Sequence, residues 1–236
     1  MSATRPSGRG SLVSPGTRAR VRTLAEPVAL FLGRLGLTPN GLTLIGFAIT
    51  VVGAILLGLQ QWLIGGIVVF LGGVFDMFDG TLARATGKVS NLGAFMDSVF
   101  DRWGEALVYV GVAAGLAQAG GNAAGPVLAA AAMGSAFMVS YTRARSEGLG
   151  FTTGTGMAAV GLMPREVRLI VLSLGLILAG ISGTGGGAGL GAGAGAVPVG
   201  IVILQLALGI IALGATITVI QRILHVRQQA VASDGK

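Results

Sequence analysis

The sequence predicts an all-α, polytopic membrane protein with six transmembrane helices and an N-terminal amphipathic helix on the cytosolic face. Three observations carry that prediction. Of 236 residues, 53% are hydrophobic and only 11% charged, against roughly 25% charged in a soluble domain. Six apolar stretches approach the roughly 20 residues that cross a bilayer. Basic residues fall on alternate connections between those stretches, as the positive-inside rule requires.

The elements follow in order. Residues 1–18 are basic and rich in Ser, Pro and Gly, with Arg5, Arg9 and Arg18. They lack the apolar centre of a cleaved signal peptide and read as a disordered cytosolic tail. Residues 19–38 place Val21, Leu24, Val28, Phe31 and Leu35 among polar positions, the pattern of a short helix lying on the membrane surface. Pro27 is where that helix would kink or stop. The spans are 42–59, 62–82, 93–118, 123–145, 166–183 and 197–221, and residues 19–225 form a single domain followed by a tail, 226–236.

Arg34 precedes the first span. Arg84 and Lys88 lie between the second and third, Arg143, Arg145, Arg165 and Arg168 around the connection of the fourth to the fifth, and Arg222, Arg227 and Lys236 after the sixth. The opposite connections, at 60–61, 120–122 and 182–196, carry no charge. Both termini and the charged connections are therefore expected in the cytosol. The same distribution turns the net charge of +7 into a statement about topology, and nucleic acid is not an expected partner. Forty-two glycines suit membrane helices that pack by close approach. The Gly/Ala run 183–195 reads as a loop outside the membrane, without chemistry. With no cysteine, disulfides and thiolate sites are excluded. Trp62 is expected in an interfacial aromatic belt.

Carboxylates inside membrane spans are costly, about 2.5–3.5 kcal/mol each at a span's centre, and mark function. Four of them fall between residues 76 and 101. Asp76 and Asp79 are spaced i,i+3 at the cytosolic end of the second span; Asp97 and Asp101 are spaced i,i+4 at the start of the third. Each pair shares a helix face, and a short connection can bring the two faces together. Four such groups repel one another unless neutralised. Oxygen donors without Cys, and with a single distant His, favour Mg²⁺ or Mn²⁺. The plainer alternative is that the aspartates pair with Arg84, Lys88 and Arg102 to orient helix ends.

The full pattern removes that alternative. In FDMFDGTLARATGKVSNLGAFMDSVFDR, Asp76, Asp79-Gly80, Ala83-Arg84, Gly93, Asp97 and Asp101 stand at fixed spacings. Chance would produce those eight residues on the order of once in 10⁹ starts. The pattern resembles the signature of the CDP-alcohol phosphotransferases, membrane enzymes that join a CDP-linked lipid to a second alcohol and release CMP. The residue types suit that chemistry: Gly80 lets backbone approach a nucleotide, Arg84 can fork onto a diphosphate, and Gly93 removes bulk where the third span faces the site. The resemblance implies that Asp76, Asp79, Asp97 and Asp101 hold two Mg²⁺ or Mn²⁺ ions, with Asp101 also the general base for the acceptor hydroxyl. It covers roughly residues 36–225 in helix pattern. It implies a homodimer and CDP-diacylglycerol as the donor lipid.

Leu37-Thr38-Pro39-Asn40 is similar to the family's entry motif. By matching position Asn40, Thr43 and Ser90 are assigned to the CDP-alcohol site with Gly80, Ala83, Arg84 and Gly93. Asn40 and Thr43 could equally cap the first membrane helix, and Ser90 a loop. Glu105, one turn beyond Asp101, faces the same cavity as a supporting group or pairs with Arg102.

Arg143, Arg145, Arg165 and Arg168 are either topological anchors or the binding set for an acceptor phosphate, which bidentate arginines suit. Their placement resembles the actinobacterial phosphatidylinositol phosphate synthases and archaeal relatives, which use inositol 1-phosphate. Here Arg143 stands where a lysine is usual, and Pro164-Arg165-Glu166-Val167-Arg168 keeps both arginines with the proline moved. The expected acceptor is inositol 1-phosphate, with glycerol 3-phosphate, and hence a phosphatidylglycerophosphate synthase, as the alternative. A transporter is the competing class, but its site would lie at the midplane, whereas these aspartates cluster at one face.

Overall fold

A computed structural model describes residues 15–119, 123–151, 160–183 and 197–234. Among the described residues there are seven helices and no strand: α1 (Pro15–Arg34), α2 (Pro39–Gly58), α3 (Trp62–Ala85), α4 (Asn91–Gln118), α5 (Ala124–Gly148), α6 (Arg165–Ser182) and α7 (Val199–Asp234). The six apolar stretches fall on the helices α2 to α7. The expected tail and the Gly/Ala loop fall mostly on residues 1–14 and 184–196, outside the described residues. α1 begins at Pro15, a turn earlier than expected, and continues through Pro27 to Arg34.

Four helices, α2, α3, α5 and α7, are long and apolar enough to cross a membrane. α4 and α6 are set apart by the charges they carry: Asp97, Asp101, Arg102 and Glu105 in one, Arg165, Glu166 and Arg168 in the other. α2 packs on α3 and α4, α3 on α6, α4 on α5, and both α5 and α6 on α7.

Close approach explains these crossings. A Cβ on Gly111 of α4 would strike the Ala54 carbonyl of α2, and one on Gly66 of α3 would lie 2.8 Å from Leu176 Cβ of α6. Side-chain-free surfaces let the helices meet by van der Waals contact, which is what drives association where lipid is as apolar as the protein.

The main apolar cluster, including Leu57, Val112, Leu176, Leu204 and Leu208, fills the body of the bundle. Trp62 belongs to it, only 2% exposed, and its ring covers Gly115 of α4. The belt position expected for Trp62 is thus not observed, because Gly115 opens a slot into which the indole turns. A second cluster of Ala29, Leu42 and Leu82, bordered by Phe75 and Phe78, fastens α1 to α2 and α3. Leu24, Phe31 and Leu35 of α1 and the turn after it remain exposed.

Candidate active site

α2, α3 and α4 meet at one end of the bundle, and their local chemistry sets that end. Thr38 caps α2: its Oγ1 accepts the Gly41 N–H at 3.1 Å, and Pro39 occupies the first turn, where no amide is needed. Asn40 and Thr43 are thereby left free of capping. Thr43 Oγ1 instead faces α3 and donates to Asp79 Oδ2 at 2.6 Å. Asp79 Oδ1 accepts the Gly80 N–H. Ser90 caps α4, accepting the Gly93 N–H at 3.0 Å.

A cleft of about 210 Å³ opens between these helix ends. α2 contributes Asn40 and Thr43; α3 contributes Asp79, Gly80, Ala83 and Arg84; the start of α4 contributes Ser90, Gly93 and Asp97. Every residue assigned from the sequence to nucleotide binding lines this one space, and Ser90 serves as cap and as wall together. A Cβ on Gly93 would sit 3.1 Å from Ser90 Oγ and 3.2 Å from Asn40 Oδ1. Bulk at that position would close the floor of the cleft.

Beside it, Asp76, Asp97 and Asp101 each present a carboxylate oxygen within 4.8 Å of the others. Asp79 stands outside this trio, held by Thr43 and facing the cleft. Asp97 belongs to both. Asp101 Oδ1 is buried without a hydrogen-bond donor aligned on it, although Arg165 Nη1 forms an ion pair at 2.8 Å. Clustered hard oxygens with one unsatisfied lone-pair site fit a divalent ion of the Mg²⁺ or Mn²⁺ kind.

The four arginines divide. Arg165, at the first turn of α6, pairs with Asp76 Oδ2 at 2.7 Å as well as with Asp101, so its guanidinium borders the carboxylate cluster. Arg143 and Arg145 lie exposed on the last turns of α5, where Arg143 pairs with Glu147 at 2.9 Å. Arg168 departs from expectation. It is 2% exposed, with Nε and Nη2 forked onto Glu105 at 2.7 and 2.9 Å and Nη1 donating to the Met163 carbonyl at 3.1 Å. Its planar fork is satisfied inside the protein by Glu105 and the Met163 carbonyl. Glu105 pairs with Arg168 far more closely than with Arg102, which lies 3.7 Å away.

Breaking a buried ion pair from one side leaves a charge unpaired. Arg168→Ala is therefore expected to destabilise the detergent-solubilised protein by about 3 kcal/mol, read from thermal unfolding. Arg145→Ala, on an exposed turn, should leave the midpoint unchanged within error.

One group escaped the sequence reading: Thr218, Gln221 and Arg222 of α7. Arg222 is expected to follow the last span as a topological charge, but α7 continues to Asp234 and Arg222 is 4% exposed. The signal available in the sequence was a polar stripe at helical spacing within an otherwise apolar helix.

Comparison with known proteins agrees with this geometry. Residues 36–231 match the CDP-alcohol phosphatidyltransferase family. An archaetidylinositol phosphate synthase from Pyrococcus horikoshii is 39% identical over 155 residues, 66% of this chain and 77% of that protein. A phosphatidylinositol phosphate synthase from Streptomyces avermitilis is 32% identical over 236 residues, 99% of this chain and 90% of its own. The crystal structure of the Mycobacterium tuberculosis phosphatidylinositol phosphate synthase with manganese and citrate superposes with a TM-score of 0.70 at 28% identity, covering 86% of this chain and 88% of that one. The same enzyme with CDP-DAG bound gives 0.67 at 26% identity over 86% and 94%.

Proposed function

The chain belongs to the CDP-alcohol phosphatidyltransferase family, and we propose that it transfers the phosphatidyl group of CDP-diacylglycerol to the hydroxyl of inositol 1-phosphate, releasing CMP. The observation that carries this reading is the cleft shared by Asn40, Thr43, Gly80, Ala83, Arg84, Ser90 and Gly93, joined through Asp97 to the Asp76/Asp97/Asp101 cluster. A nucleotide diphosphate lying in that cleft has its phosphates directed at the carboxylates. The relatives' names give inositol phosphate lipids as their products, which supports an inositol phosphate acceptor here.

In this reading Asn40, Thr43 and Ser90 hold the cytidine end and Arg84 forks onto the diphosphate. Asp76, Asp79, Asp97 and Asp101 would hold two Mg²⁺ or Mn²⁺ ions, whose chemistry there would be to neutralise charge on the diphosphate. Asp101 accepts the proton of the acceptor hydroxyl. The resulting oxygen attacks the phosphorus bonded to diacylglycerol, that phosphorus loses its bridging oxygen, and CMP departs with it. Arg165, beside Asp101, and Arg143 and Arg145 at the end of α5 supply the positive field for the acceptor's own phosphate. Thr43 holds Asp79, fixing the carboxylate's rotamer.

We place six spans, α2 to α7, in the membrane, with α1 on the cytosolic surface and the site at the cytosolic face. The 28 residues of α4 span about 42 Å and the 18 of α6 about 27 Å at 1.5 Å per residue. Their charged residues end at Glu105 in α4 and Arg168 in α6, on the side next to the site, and the rest of each helix is uncharged. The exposed Leu24, Phe31 and Leu35 suit α1 and the turn after it to a lipid surface. Residues 19–225 act as one membrane domain, working as a homodimer.

The test is CMP release by the purified protein with CDP-diacylglycerol, Mg²⁺ and, in turn, inositol 1-phosphate, glycerol 3-phosphate, free inositol and serine. Release should be fastest with inositol 1-phosphate. Equal rates with serine or free inositol would remove the phosphate site, and preference for glycerol 3-phosphate would make the chain a phosphatidylglycerophosphate synthase. The cleft has a test of its own. A Cβ on Gly80 would sit 3.1 Å from Arg84 Nη1, so Gly80→Val should displace the guanidinium and raise the KM for CDP-diacylglycerol about tenfold. An unchanged KM would detach Arg84 from the donor.

A further inference from the structure

Residues 160–163 lead into the arginine-bearing start of α6, and one face of α7 holds them by their backbone. Gly214, Thr218, Gln221 and Arg222 are spaced i, i+4, i+7, i+8, a single stripe along the helix. Thr218 Oγ1 accepts the Met163 N–H at 2.9 Å and donates to the Gly214 carbonyl at 2.8 Å. Gln221 Oε1 accepts the Leu162 N–H at 3.2 Å. Arg222 Nε donates to the Val160 carbonyl at 3.0 Å, and its Nη1 donates to the Val139 carbonyl of α5. Gly214 makes room for Met163, since a Cβ there would lie 2.6 Å from Met163 Cε. Gly161 adopts φ +128° directly against Thr218.

These contacts continue into the catalytic end. The Met163 carbonyl accepts from Arg168, Arg168 forks onto Glu105, and Glu105 lies one helical turn past Asp101. The Pro164 carbonyl accepts the Val167 and Arg168 N–H groups at 3.1 and 3.2 Å, which starts α6. Arg165, next in the chain, reaches Asp76 and Asp101. Where residues 160–163 sit therefore sets where the Arg165 guanidinium stands.

We infer that Thr218, Gln221 and Arg222 are positioning residues for the acceptor side of the reaction, acting through residues 160–163 on Arg165. Buried hydrogen bonds to backbone hold a segment in one register, and a displacement of about 1 Å at a reacting group can cost on the order of 10²-fold in rate. The inference rests on the proposed use of Arg165 for a phosphorylated acceptor. A purely structural role would weaken the whole enzyme evenly. A positioning role separates the two substrates.

The experiment compares Thr218→Val, which keeps the shape and removes the hydroxyl, with Thr218→Ser, which keeps the hydroxyl. CMP release is titrated in inositol 1-phosphate, in glycerol 3-phosphate and in CDP-diacylglycerol. Hydrogen exchange is followed at Leu162 and Met163. T218V should raise the KM for the acceptor about tenfold, leave the KM for CDP-diacylglycerol within about twofold, and speed exchange at Met163; T218S should behave as wild type. If T218V does not fold, Gln221→Ala, at a half-exposed site, makes the same comparison through Leu162. Equal rises in both KM values would overturn the inference, as would faster exchange with an unaltered acceptor KM. Absence of wild-type turnover with either phosphate would instead overturn the acceptor assignment, and the inference with it.

Discussion

Asp97→Asn is expected to reduce CMP release by at least about 10³-fold and to weaken Mn²⁺ binding measured by calorimetry. Asp97 is shared by the carboxylate trio and the cleft wall, so the substitution removes charge from the ion site and from the donor's diphosphate together. An amide keeps the shape and one oxygen but supplies no negative charge. Folding should survive. With Asp76 and Asp101 close by, loss of one carboxylate relieves repulsion when ions are absent, and thermal unfolding in chelator should occur at or above the wild-type temperature. Unchanged Mn²⁺ affinity would remove Asp97 from the ion site whatever the activity.

Asp101→Asn should act differently. As the group assigned to take the acceptor's proton, its loss should lower kcat by about 10²–10⁴-fold, the range for a positioned general base. The KM for CDP-diacylglycerol should stay within a few-fold, because Asp101 does not line the nucleotide cleft. Arg165 would keep Asp76 as a partner, so α6 should remain in place. A kcat within about tenfold of wild type would transfer the base role to another group. The contrast between the two variants separates proton transfer, assigned to Asp101, from the cleft wall, to which Asp97 alone of the trio belongs.

Much of the site could be read without coordinates because its chemistry is local. Asp76 to Arg84 lie within three turns of α3, and Ser90 to Asp101 within three turns of α4. Helical periodicity alone assigns them faces, and a five-residue connection forces the faces together. The cleft and the trio followed. What periodicity could not tell was which residue would be used for what. Thr38 caps α2, so Thr43 is available to Asp79; either threonine had the chemistry to cap. Ser90 both caps and lines.

The arginines show the limit more sharply. Arg165 and Arg168 are one turn apart on one helix and look equivalent in sequence, yet one borders the carboxylates and the other is buried against Glu105, 63 residues earlier in the chain. Trp62 likewise takes a core position because Gly115, distant in sequence, leaves it space.

The sequence by itself determined the class of molecule, the helices and the polar residues that gather at one end of the bundle, because hydropathy, charge placement and short-range spacing act within one or two adjacent helices. Only the tertiary structure decided which arginine pairs with which carboxylate, that Asp79 stands apart from the trio, and that α7 holds the start of α6. The physical reason is that a buried charge takes whichever partner the packing brings within about 3 Å, and that distance depends on how distant helices cross. Gly66 and Gly111 set two of those crossings through contacts with residues far away in the chain, and no local pattern records them.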